Sequence, residues 1–244
     1  MKAKKFAMAA ALALTAVSAS AATITVDLDS GGNNVGNGYG NVRTFTEGGI
    51  TITASAWSLT GGSRNTLFET ARLGQYSTGL GVCNRDEGGS NCGSPEHQVS
   101  NNDSLDFVLF QFSAAVDPLS VRIDPYNTHD RDVTYWTGTT VNALSLNELT
   151  LSGLADLGFG DRFDDNATAS KSARDVSLTS GLVNSLLFGA SALPSDRNDL
   201  FKITSISFDY TKPTPPTEVP EPGSLALIAL ALGGLGLARR RRAA

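Results

Sequence analysis

Histidine, cysteine, methionine and tryptophan each occur only twice in the 244 residues. A zinc site draws on several thiolates or imidazoles, and His97 and His129 with two cysteines leave little to build one. The cysteines, Cys83 and Cys92, are not spaced as Cys-x-x-Cys, which argues against a thioredoxin-like redox centre. No Gly-x-Ser-x-Gly elbow is present, so nothing points to an α/β-hydrolase nucleophile. Lysine, glutamate and methionine are scarce through the middle of the chain, which disfavours long helices. Between Ala22 and Pro220 stand 12 Lys and Arg against 23 Asp and Glu, a net charge of −11. That surface repels phosphate backbones and argues against nucleic acid as a partner.

The two ends differ in kind from what lies between them. Lys2, Lys4 and Lys5 precede the apolar stretch Phe6 to Val17 and the small-residue site Ala19-Ser20-Ala21. This order is that of a secretory signal peptide, residues 1–21, a signal helix that directs Sec export and is removed by signal peptidase after Ala21. At the other end a Pro- and Thr-rich linker, residues 211–218, leads into Val219-Pro220-Glu221-Pro222. Prolines bar this stretch from a helix and hold it extended, open to a processing enzyme. A short transmembrane segment follows over residues 224–238, closed by the membrane stop Arg239, Arg240, Arg241 and Arg242 on the cytoplasmic side. Leu225 to Ala238 rise only about 21 Å as a helix, short of the roughly 30 Å hydrocarbon core. A temporary anchor suits that length better than a lasting one.

The tripartite tail at residues 219–244 resembles the PEP-CTERM sorting signal of Gram-negative bacteria. The resemblance implies a substrate of exosortase, a membrane-embedded transpeptidase-like enzyme acting near the Pro-Glu-Pro motif. Thr78-Gly79-Leu80-Gly81-Val82-Cys83, Pro95 to Asn101 and the following apolar stretch also resemble a pattern of exosortase-dependent surface proteins, in which a Gly-Leu-Gly-Val turn precedes a strand. That likeness implies delivery and fold, and no catalytic residues.

Residues 22–210 make one exported domain, and strands are its expected elements. Ile50 to Ala56 alternates polar with small or apolar residues, as does Ile206-Ser207-Phe208-Asp209-Tyr210, and each pattern is a half-buried strand. Leu105 to Phe112 is apolar on both faces and belongs at the centre of a sheet. Further strands are expected at Thr23–Leu28, Val42–Thr46, Leu67–Leu73, Leu119–Asp124, Val133–Thr137, Leu146–Leu151, Arg174–Leu178 and Phe201–Ile206. A short helix is allowed at Gly181–Ala190, where Leu182, Val183, Leu186 and Leu187 fall at helical spacing. Many short strands with turn residues between them indicate an all-β, antiparallel β-sandwich of jelly-roll kind. After export Cys83 and Cys92 meet an oxidising compartment, where a disulfide closing the polar loop between them is the natural reading.

Asp27-Leu28-Asp29-Ser30-Gly31-Gly32 begins like a calcium loop, but glycine at positions 31 and 38 fails the EF-hand pattern. A different calcium site recruiting Asp27 or Asp29 with Asp209 stays open beside the plainer reading of a turn. His129-Asp130-Arg131-Asp132 offers metal ligands or an acid/base pair, and also reads as a polar turn between strands. Gly36-Asn37-Gly38-Tyr39-Gly40 lacks the helix that a dinucleotide fingerprint needs. Trp57, Trp136, Tyr126 and Tyr135 stack on sugars if they line one sheet face, and otherwise pack in the core. The expectation is a non-enzymatic protein without a required cofactor, placed at the cell surface or in the extracellular matrix and associating with exopolysaccharide. A calcium-stabilised carbohydrate-binding module and a secreted glycan hydrolase are the alternatives.

Overall fold

Alternating Thr, Val, Ile and Ser side chains fit a pleated surface with one wet face. They form most of the strands in the computed structural model, which describes residues 21–87, 93 and 97–213. Ala21–Tyr210 is one compact unit. Its strands are β1 (Ala22–Asp27), β2 (Asn33–Val35), β3 (Val42–Glu47), β4 (Ile50–Gly61), β5 (Leu67–Thr70), β6 (Arg72–Tyr76) and β7 (Gly79–Cys83). They continue as β8 (Val99–Ser100), β9 (Asp106–Pro125), β10 (Val133–Gly138), β11 (Phe163–Asp165), β12 (Arg174–Ser177), β13 (Val183–Ala190) and β14 (Leu200–Tyr210). One 3₁₀ helix, Leu151–Leu157, lies between β10 and β11. The strand pairings are all antiparallel. The described residues are thus mostly β, in one extended antiparallel network.

The axis of the network is β9, a strand of 20 residues. Its first half pairs with β4 and β13, and its second half with β14 and β12. Because side chains alternate across a strand, the first half serves two cores. Val108, Phe110 and Phe112 enter the larger cluster, while Phe107 and Leu109 enter a second one with Trp57, Phe68, Trp136 and Leu187. This is why Leu105 to Phe112 shows no polar face. Phe112 meets Phe208 of β14 edge-on at 5.3 Å, and Phe188 of β13 meets Phe201 of β14 at 6.3 Å. These contacts join the two halves of the network through one core.

Tertiary pairing overrides local pattern in several places. Gly181–Ala190, allowed as a helix, is from Val183 onward strand β13, bonded to β9 on one side and β10 on the other. A short apolar run buried on both faces has no period to betray it. Leu146–Leu151 is not a strand. Thr150 instead caps the 3₁₀ helix, accepting a hydrogen bond from Gly153 N at 3.3 Å, and Gly158 ends it at φ 95°. The segments around Leu105–Phe112 and Leu119–Asp124 fuse into one strand through Pro118, where the register with β14 shifts between Ser207 and Phe208. An irregular register is where a ladder tolerates a residue without an N–H. Gly79-Leu80-Gly81-Val82, expected as a turn, is the buried strand β7. A Cβ on Gly81 would lie 2.0 Å from the carbonyl oxygen of His97, so only glycine admits that neighbouring backbone.

A candidate metal centre

Two connections run side by side at one end of the network, residues 126–132 between β9 and β10 and residues 191–199 between β13 and β14. Tyr126 N donates to Leu200 O at 2.8 Å and Asp130 N to Asn198 O at 3.0 Å, and Asp130 bridges Asp199 in parallel register. Both connections are rich in Asp and Asn, and the second also in Ser, residues that bond their own and neighbouring backbone and so favour turns over strands. Backbone pairing thereby brings four aspartates together. Asp130, Asp132, Asp196 and Asp199 each place a carboxylate oxygen within 4.8 Å of the others.

Asp199, wholly buried, is the fixed member. Its Oδ2 accepts from Asn101 Nδ2 at 2.6 Å and Ser191 N at 3.2 Å, and its Oδ1 from Asp132 N at 2.8 Å. Asn101 is itself buried; its Nδ2 also donates to the carbonyls of Ser191 and Asp196, and its Oδ1 accepts from Asp199 N. One amide therefore ties β14 to the loop before it. Asp132 Oδ1 accepts from Ala167 N, and Asp130 Oδ1 from Arg131 N at 2.8 Å. Asp196 differs from the rest: its Oδ2 is shielded from solvent and has no hydrogen-bond partner.

No cationic side chain among the described residues balances this charge. Arg131 gives its guanidinium to the carbonyls of Thr168 and Ser172, and the ion pairs of the domain involve other acids. Two ionised carboxylates at this spacing repel by on the order of 3 kcal/mol at an effective dielectric of 20. Burial, then the Asp196 carboxylate, push Asp199 up to about 7. Burial likewise leads in pushing Asp132 up to about 6, with Asp130 and Asp196 adding to it. The crowding favours protonation of these carboxyls near neutral pH, and a bound cation would relieve the same repulsion. Its donors are oxygens alone, which suit a hard cation, and a set of four carboxylates from two loops suits the irregular ligand sphere of Ca²⁺ better than strict octahedral Mg²⁺. The orphaned Asp196 oxygen fits the same ion.

The aspartates expected from sequence lie elsewhere. Asp27 pairs with Ser205 and Asp209 with Thr23 on the β1–β14 ladder. Four positions of separation put them about 13 Å apart, and Asp209 Oδ1 is taken by Thr23 Oγ1 at 2.5 Å. Asp29 accepts from Ser30 Oγ at 3.0 Å. Asp27, Asp29 and Asp209 are not brought together. The His129 to Asp132 stretch supplies both a turn and two of the four clustered acids, while His129 Nδ1 is engaged with Asn198 Oδ1 at 2.8 Å. Asp196 and Asp199 were not legible as partners, because their proximity depends on the pairing of Asp130 with Asp199. Trp57, Trp136 and Tyr135 are buried and form no sugar platform; Tyr126 stacks on His129. Cys83 is buried and is not a free thiol; Cys92 lies outside the described residues. The signal peptide, the sorting motif Val219 to Pro222, the membrane segment and the arginine cluster also lie outside them.

Residues 218–242 match the PEP-CTERM protein-sorting motif. The chain carries an exosortase sorting signal at its C-terminus. A PEP-CTERM motif implies an exported protein processed by exosortase and sorted to the cell surface. No curated protein and no solved structure matches the chain.

Proposed function

We propose that this PEP-CTERM protein is a non-enzymatic surface or matrix component whose β-sandwich domain is stabilised by calcium and associates with exopolysaccharide. The observation that carries the reading is the convergence of four carboxylates from two loops, with a shielded Asp196 oxygen to which no N–H or hydroxyl donates. Calcium is abundant outside cells, and export delivers the domain to it. The crowding of the acids supports a cation rather than a sugar between them, since a glycoside hydrolase needs carboxylates about 5–10 Å apart with room for substrate and water. The acidic surface supports solubility and cation-mediated contact with matrix polysaccharide.

Sedimentation of matrix polysaccharide from a culture tests the assignment. The mature protein co-sediments in 1 mM calcium and is released when the polysaccharide is digested enzymatically. Protein that stays in the supernatant throughout, or that depolymerises the polysaccharide, refutes the proposal. Deleting residues 219–244 releases the protein from cells, and unchanged membrane association of that deletion contradicts the role of the tail.

A further inference from the structure

A cavity of about 290 Å³ opens where the β2–β3 loop meets the start of β6. Its walls include Asn34, Asn37, Asn41, Arg43 and Arg72. In a domain of net charge −11, two arginines share this cavity and no acid pairs with either among the described residues. Arg43 is held by neutral acceptors, with Nε donating to Leu73 O at 3.4 Å and Nη1 to Gln75 Oε1 at 3.0 Å. Its Nη2 and the whole Arg72 guanidinium make no hydrogen bond or ion pair among the described residues. Burial and the neighbouring Arg72 charge pull Arg43 below its ordinary value, which fits two like charges facing one cavity.

One wall of the cavity is tied down by hydrogen bonds. Asn41 is buried; its Nδ2 donates to Asn34 Oδ1 at 2.7 Å and to Leu73 O at 3.0 Å, and its Oδ1 accepts from Leu73 N at 2.8 Å. The loop is thereby clamped to β6 from both directions, and Asn34 Nδ2 closes it onto Gly36 O at 2.8 Å. Paired guanidinium donors in a preformed recess match a planar carboxylate, which accepts two parallel N–H bonds. The volume lies at the small end of ligand pockets and suits a single sugar ring. Asn34 and Asn41 are spent on shaping the wall, while the Asn37 amide, which makes no hydrogen bond among the described residues, supplies a neutral donor and acceptor for sugar hydroxyls.

We infer that this recess is a carboxylate-binding subsite for a uronic-acid residue of an acidic polysaccharide. The source of the carboxylate rests on the polysaccharide reading above; the anion site itself does not. Arg72→Gln is the incisive variant, because Arg72 makes no hydrogen bond or ion pair among the described residues whose loss would unfold the domain. Calorimetric titration of the mature protein in calcium-free buffer uses trigalacturonate, maltotriose and triglutamate as probes. Trigalacturonate binds, maltotriose does not, and Arg72→Gln weakens trigalacturonate by about 10- to 100-fold, the worth of hydrogen bonds to a charged group. Arg72→Lys restores part of the loss, and an unchanged melting curve shows the variants folded. Equal binding of maltotriose, or trigalacturonate binding unaffected by Arg72→Gln, overturns the subsite. Triglutamate binding tighter than trigalacturonate overturns the sugar assignment. Loss of trigalacturonate binding in Arg72→Gln with no sedimentation of the wild-type protein on matrix polysaccharide upholds the anion subsite and refutes the polysaccharide reading. Sedimentation equal in wild type and Arg72→Gln upholds that reading and overturns this recess as the contact.

Discussion

Chelating calcium lowers the melting temperature of the purified protein, and the size of the drop follows from linkage. A ligand that binds only the folded state at 100 times its Kd adds about 2.7 kcal/mol. With a Kd of about 10 μM, within the range of oxygen-ligand calcium sites, 1 mM calcium reaches that ratio. For a domain of this length each kcal/mol moves Tm by about 2–4 °C, so calorimetry in 1 mM calcium against excess chelator should differ by about 5–10 °C. Asp196→Asn gives the sharpest contrast. No N–H or hydroxyl donates to the Asp196 Oδ2, so removing the charge relieves repulsion in the calcium-free state and raises that Tm while abolishing the calcium shift. Asp199→Asn is less clean, because both oxygens of Asp199 accept backbone or amide donors and an amide would turn a donor toward one of them. Coincident melting curves from zero to 10 mM calcium, or an Asp196→Asn protein that keeps the full shift, would refute the reasoning.

The pH response separates the protonated cluster from the metal-bound one. Asp132, Asp199 and the buried Asp106 are raised to about 6, 7 and 7, led in each case by burial, so the folded state holds more protons than the unfolded one between pH 4 and 7. Stability of the calcium-free protein therefore rises as pH falls from 7 to 5, the reverse of ordinary acid denaturation, and calcium flattens the change at Asp132 and Asp199; denaturant titrations at pH 5, 6 and 7 measure it. Lys202, lowered to about 7 by burial, acts from the other side and makes stability climb again above pH 7. Gly81→Ala forces a Cβ against His97 O and should cost at least about 2–3 kcal/mol, the scale of overpacking in a tight core, read from the urea midpoint. The native protein should take up no thiol reagent, and Cys92→Ser should lower stability by about 2–3 kcal/mol if the ten-residue loop to Cys83 is closed by a disulfide; alkylation followed by intact mass checks the first and the urea midpoint the second.

Sequence alone determined the address and the class. A proline-bound motif, a greasy segment and a block of arginines act through composition and order along the chain, so no fold is needed to see them. The mostly β, antiparallel character of the described residues was equally legible, because alternation in Ile50 to Ala56 and Ile206 to Tyr210 and the double-faced apolar run Leu105 to Phe112 report burial locally. Val183–Ala190 marks the limit: its residues are compatible with helix or strand, and only hydrogen bonding to β9 and β10 on either side decides. The candidate sites lie largely beyond that limit, since sequence pointed to the His129 to Asp132 stretch but not to the partners that complete the cluster. Asp130 and Asp199 stand 69 positions apart, and Arg43 and Arg72 stand 29 apart. Their meeting depends on which strands pair and in what register, and a register is fixed by packing across the whole core rather than by any residue near the site.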